Sequence, residues 1–536
     1  MAQARSAVVK EPCDAGYILA GKQSQPCSQP RGRWILAATI LASSMAFIDG
    51  TVVNVALPSL QKNLNATAIG LQWVVEGYSL FLSALLLVGG SLGDRLGRRK
   101  IFCIGVAIFA IASIACGLAG NITELIVARA VQGVGGALLV PGSLAIISAS
   151  FDEERRGRAI GTWSGFSAMT TAIGPVLGGW LIEHVSWRAV FFINVPIAAG
   201  VIVLSLWHVP ESRDENETGP LDWRGAVLAT IGLGGIVYGL IESSLAGFKH
   251  ISVVVSLVGG ATALLLFLFN EAHARNPMFP LRLFKSKDFT GANLLTLFLY
   301  AALSGVLFFF ALNLIQVQHY SATAAGAATL PFVAIMFSLS RWSGGLVDRL
   351  GARLPLIVGP LIAGVGFAMF ALPTHSSSYW TSFFPAVIVM AAGMAASVAP
   401  LTTTVMGAVK AEQAGVASGI NNTVARAAGL LAIAVFGVVM LQVFGRGLDR
   451  RLSEMPIDAG LRQSISAQKV RLAAVTVPAN VDVKTREQIE AVVGDSFISG
   501  FHLIMIICAL LAFASSLSSW LFIGARGNEN RIRRLR

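Results

Sequence analysis

Fourteen stretches of this chain are long and apolar enough to cross a bilayer, and that feature excludes most folds at once. A membrane-spanning helix needs about 20 mostly apolar residues. The stretches lie at 34–57, 71–92, 101–120, 124–149, 159–182, 190–209, 222–243, 250–270, 290–313, 323–345, 354–372, 379–407, 414–441 and 500–523. Short turns of Gly, Pro, Asn and charged residues join most of them. Of 536 residues, 55% are hydrophobic and only 13% charged, against about 25% charged in a soluble domain. The mean hydropathy is +0.70. A single soluble core stops growing at about 250–300 residues, so the apolar excess is not one oversized core. The expected class is an all-α polytopic membrane protein.

Lysine and arginine predict the orientation, because cytoplasmic loops carry the excess. With the N-terminus in the cytosol, inner segments and tails hold 26 Lys and Arg, and the six short outer loops hold Lys62, Arg188 and Lys249. Both termini are therefore expected in the cytosol and the chain in the inner membrane. Residues 442–499 carry eight Lys and Arg on the outer side, but long loops translocate regardless of charge. Stretches 458–474 and 483–496 in this segment read as short helices. Residues 1–33 are polar, without a signal-peptide apolar core, and read as a disordered cytosolic tail; 524–536 form a basic tail. Cys13, Cys27, Cys103, Cys116 and Cys508 show no paired spacing, so neither a metal site nor a disulfide framework is expected. The net charge of +12 follows from the topology rather than from nucleic-acid binding.

An internal repeat organises the spans. The segment after span 2 reads Gly90-Ser-Leu-Gly-Asp94-Arg95-Leu-Gly97-Arg98-Arg99-Lys100, and the segment after span 10 reads Gly344-Gly-Leu-Val-Asp348-Arg349-Leu-Gly351-Ala-Arg353. Gly157-Arg-Ala159-Ile-Gly161 at span 5 recurs as Gly415-Val-Ala417-Ser-Gly419 at span 13. Both pairs are eight spans apart, where two six-helix bundles in direct succession would give six. Two spans, 222–243 and 250–270, are the natural insertion. Parallel halves around a midplane site are a common transporter plan.

These residues resemble the major facilitator superfamily over nearly the whole chain. Gly90–Lys100 is similar to its signature between helices 2 and 3. Arg129-Ala-Val-Gln132-Gly133 resembles its helix-4 motif, and Gly174-Pro175-Val-Leu-Gly178-Gly179 its antiporter motif. Asp49-Gly-Thr51-Val-Val-Asn54-Val-Ala-Leu-Pro58 is similar to the helix-1 signature of the fourteen-helix drug:proton antiporters. The resemblance implies a major facilitator fold: a six-helix bundle at 34–209, two inserted helices at 222–270, and a second bundle at 290–523. It implies proton-coupled efflux of small lipophilic or cationic compounds, including drugs and antibiotics. The chain departs from the pattern at Thr170, where the antiporter motif has glycine, at Glu76, where the family has an uncharged residue, and at Ala352, where the loop signature is basic.

Ionisable residues inside spans are costly and mark function by default. Asp49, Glu76 and Arg129 fall in the outer halves of spans 1, 2 and 4. Asp49 is the expected proton carrier, with Arg129 tuning it; a static pair fixing helices 1 and 4 is the alternative. Glu76 is a candidate for proton exchange or cation binding. Trp73, Tyr78, Asn54 and Tyr300 are further substrate-binding candidates, the aromatic ones through stacking and cation–π contact. Spans 9 to 12 hold no interior Asp or Glu, which favours monovalent cations or neutral lipophiles over dications. Asp94 is expected to latch against the start of span 13 near Ala414–Gly415 in the outward-open state. Gly90, Gly97, Arg95, Arg98, Arg99, Gly133, Gly174, Pro175, Gly178, Gly179, Asp348 and Arg349 have conformational roles.

No G-x-x-x-x-G-K-[ST] phosphate loop occurs, so energy from ATP is not expected, nor is any cofactor or metal. The expected partners are a small-molecule substrate, protons and the bilayer, with the chain a monomer. Docking of a periplasmic adaptor on 442–499 stays open. Two rival readings are a proton symporter importing a metabolite and a polytopic membrane enzyme. The seven histidines form no His-x-x-His or His-Glu-x-x-His cluster, which argues against the enzyme.

Overall fold

The computed structural model describes residues 29–524 except 152, 214–220, 375–376, 410–412 and 479. The expected tails at 1–33 and 524–536 lie largely outside the described residues. Among the described residues, fourteen long helices carry the chain. In the first half they are α1 (Gln29–Asn63), α2 (Ala68–Leu96), α3 (Arg98–Leu118), α4 (Ile122–Ser150), α5 (Glu153–His184) and α6 (Ala189–His208). Then come α7 (Trp223–Ala246) and α8 (Ile251–His273). The last six are α9 (Lys287–Leu312), α10 (Leu330–Leu350), α11 (Arg353–Met369), α12 (Phe384–Gly407), α13 (Ala414–Glu454) and α14 (Val483–Phe522). Most of each apolar stretch lies on one of them; 323–345 begins on a separate short helix, Ala322–Ala327, and 379–407 on a π-helical turn, Tyr379–Phe383. Among the described residues, twelve helices are long and apolar enough to cross a membrane; α5 and the 17-residue α11 are not among the twelve.

Local chemistry sets many of the boundaries. Thr67 caps α2 through the Gly70 amide, and Ser286 caps α9 through that of Phe289. Asn121 caps α4 through the Glu124 amide at 2.9 Å, while Glu124 accepts from the amide of Gly120, the residue before the cap, at 2.8 Å. Prolines inside α1, α4, α5, α11 and α12 (Pro58, Pro141, Pro175, Pro360, Pro400) each remove one backbone donor. Neighbouring helices make such breaks tolerable in a bundle.

In the first half, α1 packs on α4, α5 and α6, and α4 on α2 and α3; in the second, α9 packs on α13 and α14, and α12 on α10 and α11. The α7–α8 hairpin rests through α7 on α2 and α13. Val237 and Ile241 of α7 are buried there with Ile69 and Leu80 of α2 and Leu430 and Ala434 of α13. The hairpin thus covers a seam between the halves.

Residues 442–499 differ from the expected loop. Helix α13 runs unbroken to Glu454 and α14 starts at Val483. The true connection is 455–482, with a helix at Ala459–Ser466 and a 3-10 turn at Lys469–Ala474. Stretch 483–496 is therefore the start of a 40-residue helix and not a separate short one. The reason is continued apolar periodicity. Phe444, Leu448 and Leu452 of α13 and Ile489, Val493 and Phe497 of α14 are buried in one cluster with Ile465 and Leu472.

The two halves are bound together at the end that carries the 455–482 connection. Gln316 donates to Gln61 of α1 at 2.8 Å, and Gln61 donates to the Arg471 carbonyl at 3.1 Å. Glu183 at the end of α5 accepts from the Thr323 amide at 2.7 Å and its hydroxyl at 2.6 Å. Gly179 lies against Ala322, and Gly326 against the Pro175 carbonyl, so closely that a Cβ at either position would overlap backbone.

Candidate functional site

A buried polar network sits inside the first half. The guanidinium of Arg129 donates to Asp49 through Nη1, to Gln132 at 2.7 Å through the same nitrogen, and to the Val74 carbonyl at 3.1 Å through Nε. Gln132 donates to the other Asp49 oxygen at 2.9 Å and to the Ser113 hydroxyl at 3.1 Å. Asn194 of α6 donates to Ser113 at 2.9 Å and to Asp49 at 3.5 Å. Asp49 and Arg129 are each 1% exposed, and Gln132 and Ser113 are fully buried. The Arg129 guanidinium lies 4.3 Å from the centre of the Tyr78 ring, a cation–π contact. Four helices thus place polar groups around one carboxylate, and α2 adds an aromatic face.

The arrangement follows from spacing. Arg129 and Gln132 are three residues apart on α4 and share a face. Gly133 beside them lets α4 approach α2: a Cβ there would run into the Tyr78 carbonyl. The ion pair meets the rule that a buried charge is expensive unless paired and hydrogen-bonded. A protonatable oxygen here would change the bonding of α1, α4 and α6 together.

The structure separates the remaining candidates from this network. Glu76 is fully buried, and neither carboxylate oxygen has a hydrogen-bond partner. It follows Trp73 and precedes Leu80 on the α2 face turned to α7 and α13, and lies two residues, about 200°, from Tyr78. Trp73 contacts Tyr238 of α7, with ring centres 6.2 Å apart, so it packs on the inserted hairpin. The Asn54 amide oxygen is buried without a partner. Tyr300 on α9 is enclosed by the protein yet partly accessible.

The conformational residues divide by end. Asp94 pairs with Arg98 one turn on, at 2.6 Å, and Arg95 sits in the last turn of α2. Gly97 takes a φ of 113°, open to glycine, and turns α2 into α3. A Cβ at Gly97 would sit 2.8 Å from the Glu211 carboxylate. Glu211 accepts from the Arg99 amide at 3.0 Å and the Lys100 amide at 3.2 Å, capping the start of α3, where a helix favours an anion. Gly90 faces Pro141 of α4. Gly174 and Gly178 lie against Thr51 and Val52 of α1, and Gly179 and Pro175 against the segment before α10. The side chains of Asp348, Arg349, Ala414 and Gly415 lie outside the described residues, so the expected Asp94 latch has only one described member.

Sequence reasoning missed several contributors. Ser113 and Asn194 give no signal in apolar helices, and Glu211 lies in a connection. Arg426, in the middle of α13, is legible as an ionisable residue inside a span.

The sequence profile of the Major Facilitator Superfamily matches residues 39–433. The multidrug resistance protein Stp of Mycobacterium tuberculosis is 33% identical over 492 residues, covering 90% of this chain and 91% of that protein. The tetracenomycin C resistance and export protein of Streptomyces glaucescens is 32% identical over 501 residues, covering 92% and 93%. Among solved structures, a bacterial homologue of the human lysosomal transporter Spinster, inward-facing and unoccupied, aligns with a TM-score of 0.66 at 19% identity, covering 93% of this chain and 99% of that one. That likeness concerns the fold. A multi-pass helical membrane architecture, the quoted motifs and these relatives converge: the chain belongs to the Major Facilitator Superfamily.

Proposed function

We propose that the chain is a secondary antiporter of the inner membrane that exports small lipophilic organic compounds, drugs and antibiotics among them, in exchange for protons. The observation that carries this reading is the Asp49–Arg129 pair. It is the described ion pair buried on both sides, and its carboxylate accepts from three side chains on two other helices. The names of the relatives, multidrug resistance and antibiotic export, supply the cargo class.

In this reading Asp49 carries the proton. A proton on Asp49 removes the carboxylate charge and leaves the Arg129 guanidinium without its counter-ion. The cost of an uncompensated buried charge is large, so the helices that hold the pair rearrange. Gln132 and Asn194 can re-aim their amides in either state. The substrate enters from the cytosol, with Gly90–Lys100 on the cytosolic side, all fourteen helices crossing the bilayer, and the 455–482 connection outside. The described conformation, bound together at the connection end, then faces inward. A charge moved through 100 mV is worth about 2.3 kcal/mol, or roughly a fifty-fold gradient.

The test is uptake of ethidium, a monovalent lipophilic dye, by inverted vesicles with an acidic lumen. Wild type accumulates dye and Asp49→Asn does not, while both are inserted in equal amounts. Equal uptake by the mutant sinks the assignment of the proton to Asp49 and leaves Glu76 as the next carboxylate to examine. Dye movement that needs no proton gradient sinks the antiport reading.

A further inference from the structure

The second half contributes one cation, Arg426, that no hydrogen bond or ion pair balances among the described residues. Arg426 lies twelve residues into α13, or about 18 Å along the helix axis, close to the middle of a bilayer core of about 30 Å. It is surrounded by protein yet partly accessible. Among the described residues it has neither a hydrogen bond nor an ion pair. Its electrostatic neighbour is Tyr78, the ring that stacks on Arg129.

Among the described residues, none of the three buried carboxylates, Asp49, Glu76 and Glu271, pairs with Arg426. Asp49 is bound to Arg129. Glu76 lies on the α2 face turned to α7 and α13, and neither of its oxygens has a hydrogen-bond partner. Glu271 belongs to the α7–α8 hairpin, where it accepts from the Phe279 amide at 2.8 Å. A buried cation is costly without a partner, so a fixed positive charge at this depth points to a partner supplied from outside.

The space beside it is defined from both halves. Asn421 of α13 donates to Thr296 of α9 at 2.7 Å, and Ser304 of α9 meets Gly429 of α13. The same register puts Tyr300 level with Arg426 on the neighbouring helix. On the opposite wall, Gln61 of α1 meets Gln316 at the end of α9, so that face of α1 looks toward the second half. Asn54 and Gly50 lie seven and eleven residues earlier, on the same face. Gly50 is exposed, and a Cβ there would meet nothing within 4 Å. The open space therefore begins one residue from Asp49.

We propose that Arg426 is an anion-binding residue of the transport cavity, so that the substrates include compounds with an ionised acidic group, a carboxylate or phenolate, on a lipophilic body. Tyr300 and the Gly50–Asn54 face of α1 receive the body. A guanidinium matches a carboxylate with parallel hydrogen bonds. The proposal rests on the export reading and narrows its cargo away from cations alone.

The probes are fluorescein, an acidic dye, and ethidium. Binding to the purified full-length chain is read by fluorescence anisotropy, and transport by uptake into inverted vesicles. The wild type is expected to bind fluorescein, and Arg426→Gln to weaken it roughly ten- to hundred-fold relative to ethidium, the range of a charge-assisted hydrogen bond. Arg426→Lys is expected to recover part of the loss. Arginine-dependent fluorescein binding without proton-driven transport of either dye would overturn the export reading and leave the anion site standing. Proton-driven ethidium transport with no fluorescein binding, or a parallel loss of both dyes in Arg426→Gln, would overturn the anion site and leave the export reading standing. Binding of neither dye by the wild type also overturns the anion site.

Discussion

At the residue scale, the network around Asp49 makes unequal demands on its members. Gln132 both receives from Arg129 and donates to Asp49, so its loss leaves two charged groups short of a bond each. A hydrogen bond to a charged group is worth about 1.5–3 kcal/mol. Gln132→Leu is therefore expected to lower proton-driven dye uptake about ten- to hundred-fold, measured against insertion level in vesicles. Glu76 lies in an apolar seam with no donor for either oxygen. Replacing a buried, unpartnered polar group by an apolar one of similar shape stabilises by about 1–3 kcal/mol. Glu76→Leu should melt higher in detergent than wild type; a lower melting temperature would mean that the carboxyl has a partner in the membrane. These cases also mark what could be read in advance. Asp49 and Arg129 were legible because a charge in an apolar run has no neutral explanation. Ser113 and Asn194 were not, because small polar residues are common in such helices and acquire meaning only where four helices meet. Trp73 was legible as a large aromatic of span 2 but not as a partner of Tyr238, since that contact depends on where the inserted hairpin docks.

At the scale of elements, the glycines of α5 do different work along one face. Gly174 and Gly178 admit α1, and Gly179 admits the segment before α10. Gly326 returns the favour by admitting Pro175. Gly326→Val should hold the connection end apart and cut uptake more than tenfold, since overpacking costs about 1–3 kcal/mol; spin labels at Val185 and Trp380, both exposed at that end, should report a longer distance. The same labels address pH. Burial pushes the Glu183 carboxyl up, but the hydroxyl and amide of Thr323 outweigh it and hold the carboxyl below its ordinary value. A depressed carboxyl keeps its contribution above the ordinary value and loses it as pH falls through the folded one. The Val185–Trp380 distance should therefore be flat from about pH 8 to pH 5 and lengthen below about pH 4. The helices themselves were legible from apolar length. The junction at 442–499 was not, because charged residues along an exposed helix face look like loop, while the buried face of Phe444, Leu448 and Leu452 emerges only at helical spacing.

For the whole molecule, the charge asymmetry makes a topological prediction. A phosphatase reporter inserted at Pro456 should be active outside the cell, and a fluorescent protein fused to the C-terminus should fold and fluoresce inside; the reverse pattern would invert the assignment of the ends. The internal repeat is legible from spacing alone, whereas the placement of the α7–α8 hairpin over the α2–α13 seam needed the packing of Val237 and Ile241. The closure at the connection end has a statistical meaning. Among the described residues its polar part includes two hydrogen bonds through Gln61, two through Glu183 and one from Gln72 to the Ile433 carbonyl, each worth about 0.5–1.5 kcal/mol net. A gap of a few kcal/mol leaves the opposite state at about 0.1–10% of the molecules. An idle membrane would then always hold a minority already turned the other way, and substrate and proton would act by reweighting two standing populations.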